Sequence, residues 1–276
     1  STPLYSSAAS DVYKRQTGSG SVVTFVVPAG AAIEIGVSAA LTGDQMNLGL
    51  DITDAASSAP LITDNVFYGD VSLGGSHDQE YGVFTRSTDP VVLRNRAYHI
   101  NGSSSYGIYL ENVGTNAVVR DNVLFNNSTR GLTLFGSSFE ATGNIAFNNG
   151  GGFYFDDTTA ALTARTHDNV AHNNTTGFEL RGSGEYYNET AHDNGTGFYT
   201  PNNAFDGSAH DLISTRNTTG VNWGGGVLRD SRIFANTSTG LYVTYGNWSL
   251  IGNSIYENST GIHSQGYHSN NTIANN

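Results

Sequence analysis

From about residue 61 onward, short apolar runs recur every roughly twenty to twenty-five residues, and most of them follow a glycine. In each run the first residue after the glycine is apolar, the third is mostly apolar, and the second is often polar or aromatic. This period of two predicts a β-strand with one buried face. We expect these inward positions: Ile108, Leu132, Phe153, Phe178, Phe198, Val221, Leu241 and Ile262, then Leu110, Leu134, Phe155, Leu180, Trp223 and Val243. We expect these outward positions: Tyr109, Thr133, Tyr154, Glu179, Tyr199, Asn222, Tyr242 and His263.

A second short strand is predicted a few residues before each of these glycines. Its inward positions are small or aliphatic, and its outward positions are aromatic or histidine. The inward set is Leu124, Ala146, Ala171, Ala191, Ile233 and Ile255. The outward set is Phe125, Phe147, His172, His192, Phe234 and Tyr256.

An asparagine and a glycine mark each repeat. The asparagines are Asn101, Asn127, Asn149, Asn174, Asn194, Asn217, Asn236 and Asn258. The glycines are Gly107, Gly131, Gly152, Gly177, Gly197, Gly220, Gly240 and Gly261. Both residue types tolerate left-handed backbone conformations, and stacked asparagines can bond the coils above and below. A fixed period with one strand pair per unit predicts a solenoid, so the fold class is all-β: a right-handed parallel β-helix of roughly eight to ten coils.

The chain divides into three segments on this interpretation. Residues 1–16 follow no period, and Asp11–Gln16 matches the translation of a sequencing adapter, so we expect this segment to be non-native and to lie outside the core. Residues 17–60 contain predicted strands at Val22–Val27, Ile33–Val37 and Leu48–Ile52, as irregular first coils or an N-terminal cap. Residues 61–276 form the β-helix. We expect the native protein to extend past both ends, with any signal peptide outside this sequence.

Composition narrows the classes of partner. The formal net charge is −12, and after residue 16 all the basic residues are arginine. Such a surface resembles those of halophilic archaeal proteins, with an ordinary acidic secreted protein of a GC-rich genome as the alternative. The acidity argues against nucleic acid. No apolar run has the length of a membrane span, and the absence of cysteine excludes disulfides and thiol catalysis.

The repeat units Asp121–Asn127 and Gly252–Ile262 resemble the parallel β-helix repeat of the pectin-lyase-like superfamily, which includes NosD-like proteins and polysaccharide lyases and epimerases. The resemblance covers roughly residues 61–276 and concerns the scaffold more than the function. We expect an exported protein, at the cell surface or extracellular, and frequent glycosylation sequons such as Asn174–Thr176 fit this expectation. Polygalacturonase-like signatures are incomplete, since Asp156–Asp157 stands alone and no Gly-His-Gly occurs. Lyases that depend on a catalytic lysine are excluded, whereas arginine-based chemistry is not.

The densest group of candidate functional residues lies between about 154 and 199. Tyr154, Glu179 and Tyr199 share the outward column on successive coils, and Asp156 and Arg181 lie two residues further along. His172 and His192 hold equivalent positions on the other strand. Glu179, Arg181, Asp156, His172 and His192 could perform acid–base chemistry on a sugar. In the alternative, Asp156 and Arg181 form a cross-coil ion pair and the histidines are a solvated ladder.

Outward tyrosines in register suit the apolar faces of sugars. We therefore expect Tyr154, Tyr199, Tyr109 and Tyr242 to bind carbohydrate, unless loops or a partner domain cover them. The two histidines with Asp168 or Asp193 could hold a metal, but stacked aromatic positions filled by histidine are the simpler interpretation. Aspartates at turns are compatible with calcium, although no loop has a calcium-binding motif. No other cofactor is implied.

Three functions follow from the residues and the resemblance. The first is an exported β-helix that binds carbohydrate or forms part of the cell surface, with a polysaccharide as its partner. The second is a polysaccharide lyase, epimerase or hydrolase. The third is a NosD-like accessory protein in metal-site maturation, for which soft copper ligands are scarce because the chain has one methionine and no cysteine.

Overall fold

The chain winds into a solenoid whose coils each contain up to three short strands. A computed structural model describes residues 48–52, 59–69, 80–101, 104–114, 116–158, 164–202, 204–244, 246–265 and 272–274. All regular elements in these ranges are β-strands, and all paired strands run parallel. Successive strands along the chain belong to sheets 1, 2 and 3 in turn, so each strand pairs with its equivalents in the coils above and below.

Sheet 1 holds the strands that follow the glycine column, and it contains the longest strands of the molecule. Its ten members are β1 (Leu48–Ile52), β4 (Tyr81–Thr85), β7 (Tyr106–Val113), β10 (Arg130–Gly136), β13 (Gly151–Asp157), β16 (Thr176–Gly182), β19 (Thr196–Tyr199), β22 (Thr219–Trp223), β25 (Thr239–Val243) and β28 (Thr260–Ser264).

Sheet 3 holds the second predicted strand, which precedes the asparagine column. Its members are β3 (Val66–Tyr68), β6 (Arg96–Tyr98), β9 (Val123–Phe125), β12 (Ile145–Phe147), β15 (Val170–His172), β18 (Thr190–His192), β21 (Ile213–Thr215), β24 (Arg232–Phe234) and β27 (Ser254–Tyr256).

Sheet 2 lies between the other two, and the prediction of one strand pair per coil missed it. Its members are β2 (Leu61–Thr63), β5 (Val91–Leu93), β8 (Ala117–Arg120), β11 (Phe139–Thr142), β14 (Arg165–His167), β17 (Glu185–Tyr187), β20 (Ser208–His210), β23 (Gly226–Arg229), β26 (Trp248–Ile251) and β29 (Thr272–Ala274). Most of these strands bury a single central side chain, so they leave no alternating pattern in the sequence.

The apolar columns predicted for sheet 1 form one side of the core. Phe153, Phe178 and Phe198 pair in register on adjacent strands and are buried, and Phe155 and Leu180 fill the second column. Burial of such columns supplies most of the driving force for folding. The predicted fold and inward columns are thereby confirmed, except that Ile262 in the last described coil is 38% exposed.

The asparagine column forms a buried hydrogen-bonded ladder. Asn127 donates its backbone N–H and its Nδ2 to Oδ1 of Asn149 at 2.9 and 3.0 Å, and Asn149 repeats this with Asn174. The first predicted rung, Asn101, is wrong by one residue. The backbone N–H of Ile100, and not Asn101, donates to Oδ1 of Asn127. The ladder residues also do not adopt left-handed conformations. That conformation belongs to the residue before each of them, as at Asn126 with φ of 55°.

A second asparagine ladder lies at the corner between sheets 2 and 3. It contains Asn65, Asn95, Asn122, Asn144 and Asn169, each of which donates to the next residue. The next rung is a glutamate. Glu189 accepts from the Asn169 backbone at 2.7 Å, from Asn169 Nδ2 at 2.9 Å and from the Thr166 hydroxyl at 2.7 Å, and it is fully buried.

The glycine column is required by close approach between coils and not by a left-handed backbone. A Cβ on Gly177 would lie 2.5 Å from the carbonyl oxygen of Gly197 and 3.1 Å from Asn194 Nδ2. Only glycine leaves room for the adjacent strand and the asparagine ladder together. This column therefore fixes the register of sheet 1 and the direction of its side chains.

Several predictions for the first sixty residues lie outside the described residues. They include the segment 1–16 and the strands at Val22–Val27 and Ile33–Val37. The strand predicted at Leu48–Ile52 is confirmed as β1, which pairs with β4. Within the described ranges, no helix is long and apolar enough to cross a membrane.

Candidate functional site

The outward face of sheet 1 carries one row of side chains that runs from coil to coil. Strand pairing places its members in register, as Tyr154 opposite Glu179 and Glu179 opposite Tyr199. We call this set the outward row: Phe84, Tyr109, Thr133, Tyr154, Glu179, Tyr199, Asn222, Tyr242 and His263. The alignment predicted for Tyr154, Glu179 and Tyr199 is therefore present.

The predicted exposure of Tyr154 is wrong. Only 6% of its surface is exposed, because the guanidinium group of Arg130 lies 4.2 Å from its ring centroid and that of Arg181 lies 5.4 Å away. The ring of Phe135 packs at 4.9 Å on another side. Tyr154 is consequently a platform for two arginines, held by cation–π attraction and packing, and not an open surface for a sugar.

Glu179 joins the two arginines. Arg130 Nη2 lies 2.8 Å from Glu179 Oε2, and Arg181 donates to Glu179 Oε1 from Nε at 2.9 Å and from Nη2 at 2.8 Å. The Arg130 pair spans three strands, from β10 across β13 to β16. We call Arg130, Tyr154, Asp156, Glu179 and Arg181 the charged cluster.

The charged cluster differs from the prediction in two ways. Asp156 and Arg181 are register neighbours, but the ion pair of Arg181 is with Glu179, and Asp156 accepts a hydrogen bond from the Tyr154 hydroxyl at 3.1 Å. Arg130, which the predicted group did not include, also supplies a second cation through its ion pair with Glu179. With two arginines and two carboxylates, the cluster is formally balanced in charge.

Partial burial strengthens these contacts. The side chains of Glu179, Arg130 and Arg181 are 14, 27 and 36% exposed, so their ion pairs are screened less than those on an open surface. Burial and the neighbouring Asp156 carboxylate raise the pKa of Tyr154 well above its ordinary value. Its phenol therefore stays protonated near neutral pH and acts as a hydrogen-bond donor, not as a base.

The core supports the strand that carries Arg181. The Tyr186 hydroxyl is buried behind the strand and donates to the Arg181 carbonyl oxygen at 3.1 Å. Strand β16 ends at Gly182, whose φ of +72° and close approach to the Asp157 backbone exclude a side chain. These contacts fix the end of β16 and with it the base of the Arg181 side chain.

Rings on the N-terminal side of the charged cluster cover one another. Tyr109 lies 4.9 Å from Tyr106, 5.6 Å from Phe84 and 5.8 Å from Phe135, measured between ring centroids. Burial first and then the Glu111 charge raise the pKa of Tyr109 to about 12. Because its faces are already in contact with other rings, Tyr109 has less free surface for stacking than its outward position suggests.

On the C-terminal side the outward row is more open. Tyr199 is half-buried and makes no ring contact with another residue in the described part of the chain. Among those residues the ring of Tyr242 makes one ring contact, a T-shaped one with His263 at an angle of 88° between the planes, and its hydroxyl donates to Gln265. Asn222 lies between the two tyrosines in register.

His172 and His192 belong to a different face. They lie on β15 and β18 of sheet 3, where their rings stack at 5.0 Å in a column with Phe147. Burial first and then His192 lower the pKa of His172. The structure thus does not bring these histidines together with Glu179 and Arg181, and their ring faces are covered by each other.

The carboxylates proposed with the two histidines as metal ligands both take part in ion pairs or hydrogen bonds. His192 Nδ1 lies 2.7 Å from Asp193 Oδ2, which also accepts from Arg216, while Asp168 pairs with His167. No group of three or more His, Asp or Glu side chains suited to a metal occurs among the described residues.

Two members of the charged cluster, Glu179 and Tyr154, are poorly suited to act as a base. Glu179 is held by two guanidinium groups, and Tyr154 is a protonated donor. The partly exposed arginine N–H groups remain suited to carboxylates and hydroxyls of a ligand, and the Asp156 carboxylate remains suited to hydroxyls. The sequence analysis missed Arg130, because it lies two strands of sheet 1 and 49 residues from Glu179. Its position directly before Gly131, at the start of β10, could have indicated that it belongs to sheet 1.

Comparisons with known proteins agree with the architecture. Residues 41–166 match a family model described as "Right handed beta helix region". The chain is a right-handed parallel β-helix. No curated protein matches it at a significant level.

Two solved structures resemble the chain. The A-module of mannuronan C-5 epimerase AlgE6 from Azotobacter vinelandii has 17% sequence identity and a TM-score of 0.56, over 81% of this chain and 74% of that one. The A-module of AlgE4 from the same organism has 14% identity and a TM-score of 0.45, over 74 and 70%. The family model and the AlgE6 structure confirm the predicted right-handed parallel β-helix at the level of the fold.

Proposed function

We propose that the chain binds an extended acidic polysaccharide on the outward face of sheet 1, centred on Glu179 and Arg181. The observation that carries the proposal is the contiguous outward row, in which Glu179, paired with two partly exposed arginines, is the register neighbour of the half-buried Tyr199. A sugar ring stacks on an aromatic face, and a guanidinium group binds a carboxylate through two parallel hydrogen bonds.

Similarity in fold supports a polysaccharide as the class of ligand. The AlgE6 module is by its name an enzyme of mannuronan, and it shares the β-helix at 17% identity. Fold likeness of this degree leaves the ligand to be argued from the residues. Here the residues favour acidic sugars, because arginine matches a carboxylate better than it matches a hydroxyl.

Substitution of Arg181 tests the proposal. Arg181→Ala should weaken binding of polymannuronate or polygalacturonate by about tenfold, since it removes charge-assisted hydrogen bonds. Arg216→Ala is the matched control. Arg216 also forms an ion pair at 2.8 Å, but it directly follows strand β21 of sheet 3 and lies beside His192. Isothermal titration calorimetry against both polymers and a neutral β-glucan measures the effect. Equal losses in both variants, or no binding of any polymer by the parent protein, would contradict the proposal.

The same samples examine catalysis as the alternative. Asp156 is the carboxylate of the charged cluster that accepts from a tyrosine hydroxyl and is not held by an arginine ion pair in the described residues. An enzyme would change the polymer during the titration, by forming an unsaturated sugar, by shortening the chain or by inverting a sugar carbon. Nuclear magnetic resonance of the recovered polymer detects all three changes, and an unchanged polymer favours binding alone.

A further inference from the structure

Asn222 is an anomaly in the outward row. Its Oδ1 atom is shielded from solvent and has no hydrogen-bond partner among the described residues. Buried polar side chains nearly always have a partner, so an unpaired amide oxygen signals either a cost to folding or a ligand that completes it. Asn222 lies on β22, directly between Tyr199 and Tyr242 in register.

The two flanking tyrosines point to the ligand that would complete it. Tyr199 has no ring partner in the described ranges, and Tyr242 has only an edge contact with His263. Stacking on a sugar needs an uncovered ring face, and hydrogen bonding to a sugar needs a free acceptor or donor. Tyr199, Asn222 and Tyr242 supply these on three consecutive strands.

The Asn222 amide would have to turn to bring its oxygen to a ligand. The residue as a whole is only half-buried, and the χ2 preference of asparagine is broad and roughly two-fold, so a half-turn exchanges the positions of the amide oxygen and nitrogen. Because no partner holds the oxygen, the rotation breaks no hydrogen bond at that atom. The amide can therefore accept from a hydroxyl of a sugar that lies across β22.

We infer that Tyr199, Asn222 and Tyr242 form a sugar subsite, which adjoins Glu179 and Arg181 and is filled by the part of the ligand that extends toward the C-terminal coils. The inference rests on the proposed function and adds a direction to it. On the opposite side of the charged cluster the rings of Tyr109 and Phe135 are already in contact with each other. The four strands from β16 to β25 span about 14 Å, so a short oligosaccharide at Glu179 would not reach Tyr242.

The test uses Asn222→Leu, which keeps the approximate shape and removes both polar atoms. Calorimetry with mannuronate and galacturonate oligosaccharides should show about a tenfold loss for chains of about six sugars, and little loss for chains of about two. The melting temperature without ligand should stay the same or rise, because an unsatisfied amide is removed. A purely structural asparagine would instead give a lower melting temperature with unchanged affinity.

Thr215→Val is the matched control. Its Oγ1 is likewise buried without a partner in the described residues, but Thr215 lies on β21 of sheet 3, outside the outward row. Its loss should leave the affinity for both lengths unchanged. Equal losses for short and long chains, or equal losses in the two variants, overturn the subsite while leaving the proposed function in place. Failure of the parent protein to bind any of the oligosaccharides or polymers overturns both.

Discussion

Glu189 shows how one residue changes the character of a repeated position. The five preceding rungs of its ladder are asparagines, which are neutral at every pH. The glutamate keeps their role as acceptor but adds a titratable group in a fully buried corner. Burial raises its pKa from 4.5 to about 8, against the opposing effect of hydrogen bonds from Thr166 and Asn169.

This shift predicts that Glu189 makes stability depend on pH. Because the folded pKa exceeds the unfolded one, the folded state favours the protonated form. Its contribution to stability is complete below pH 4.5 and is lost progressively as the pH rises to about 8. Glu189→Gln, which is always neutral, should therefore gain stability over the parent protein between pH 5 and 9, on the order of 3 kcal/mol. Thermal melts across this range measure the difference.

If the curves of Glu189→Gln and the parent protein run parallel from pH 5 to 9, the carboxyl group does not titrate as predicted.

The charged cluster shows what residue-level reasoning can reach. The register of Tyr154, Glu179 and Tyr199 followed from the period of two and the glycine column, and the structure has it. The burial of Tyr154 could not be predicted in this way, because it depends on Arg130. The long side chain of Arg130 extends from the adjacent strand β10 over the Tyr154 ring. Alternation tells which way a side chain leaves its strand, but not where its far end lies.

At the scale of the element, sheet 1 depends on its glycine column. Each glycine from Gly107 to Gly240 lets the next strand and its ladder asparagine approach closely, so the column is a steric requirement repeated in these coils. The sequence prediction attributed these glycines to left-handed backbone conformations. It gave the correct register, although the structural reason for the glycines is close approach between coils. Sheet 2 escaped prediction because most of its three-residue strands bury only one side chain, and one buried residue has no period.

The glycine column gives a prediction with a control inside the same column. Gly177→Ala would place a Cβ 2.5 Å from the Gly197 carbonyl oxygen and should destabilise the protein by about 1–3 kcal/mol through overpacking. Gly261→Ala adds the same atom where no atom of the described residues lies within 4 Å, and it should change stability by less than about 0.5 kcal/mol. Chemical denaturation compares the two. Similar losses at both positions would mean that intrinsic glycine effects, and not coil spacing, dominate.

At the scale of the whole molecule, charge opposes the proposed ligand. The formal net charge is −12, whereas the charged cluster is locally balanced. An acidic polysaccharide is therefore repelled at long range and held only at contact. Salt screens the long-range part first, since the Debye length falls from about 30 Å at 0.01 M to about 8 Å at 0.15 M.

Binding of polymannuronate should therefore strengthen between about 0.01 M and 0.15 M salt. A basic binding face would behave in the opposite way, because salt would screen its attraction. Calorimetric titrations at the two salt concentrations decide between the trends, and a neutral β-glucan controls for effects of salt on the fold. A fall in affinity with rising salt would place the ligand on a cationic surface other than the charged cluster.

The ion pair between Arg130 and Glu179 also limits how such a protein can change its length in evolution. Solenoids grow and shrink by duplication or loss of whole coils, because each coil contacts only its neighbours. This ion pair instead reaches across β13 to join β10 with β16. A coil inserted between them would add about 4.8 Å and separate the partners. Descendants of this gene are thus free to gain coils on either side of the charged cluster, but a gain within it would cost them the cluster itself.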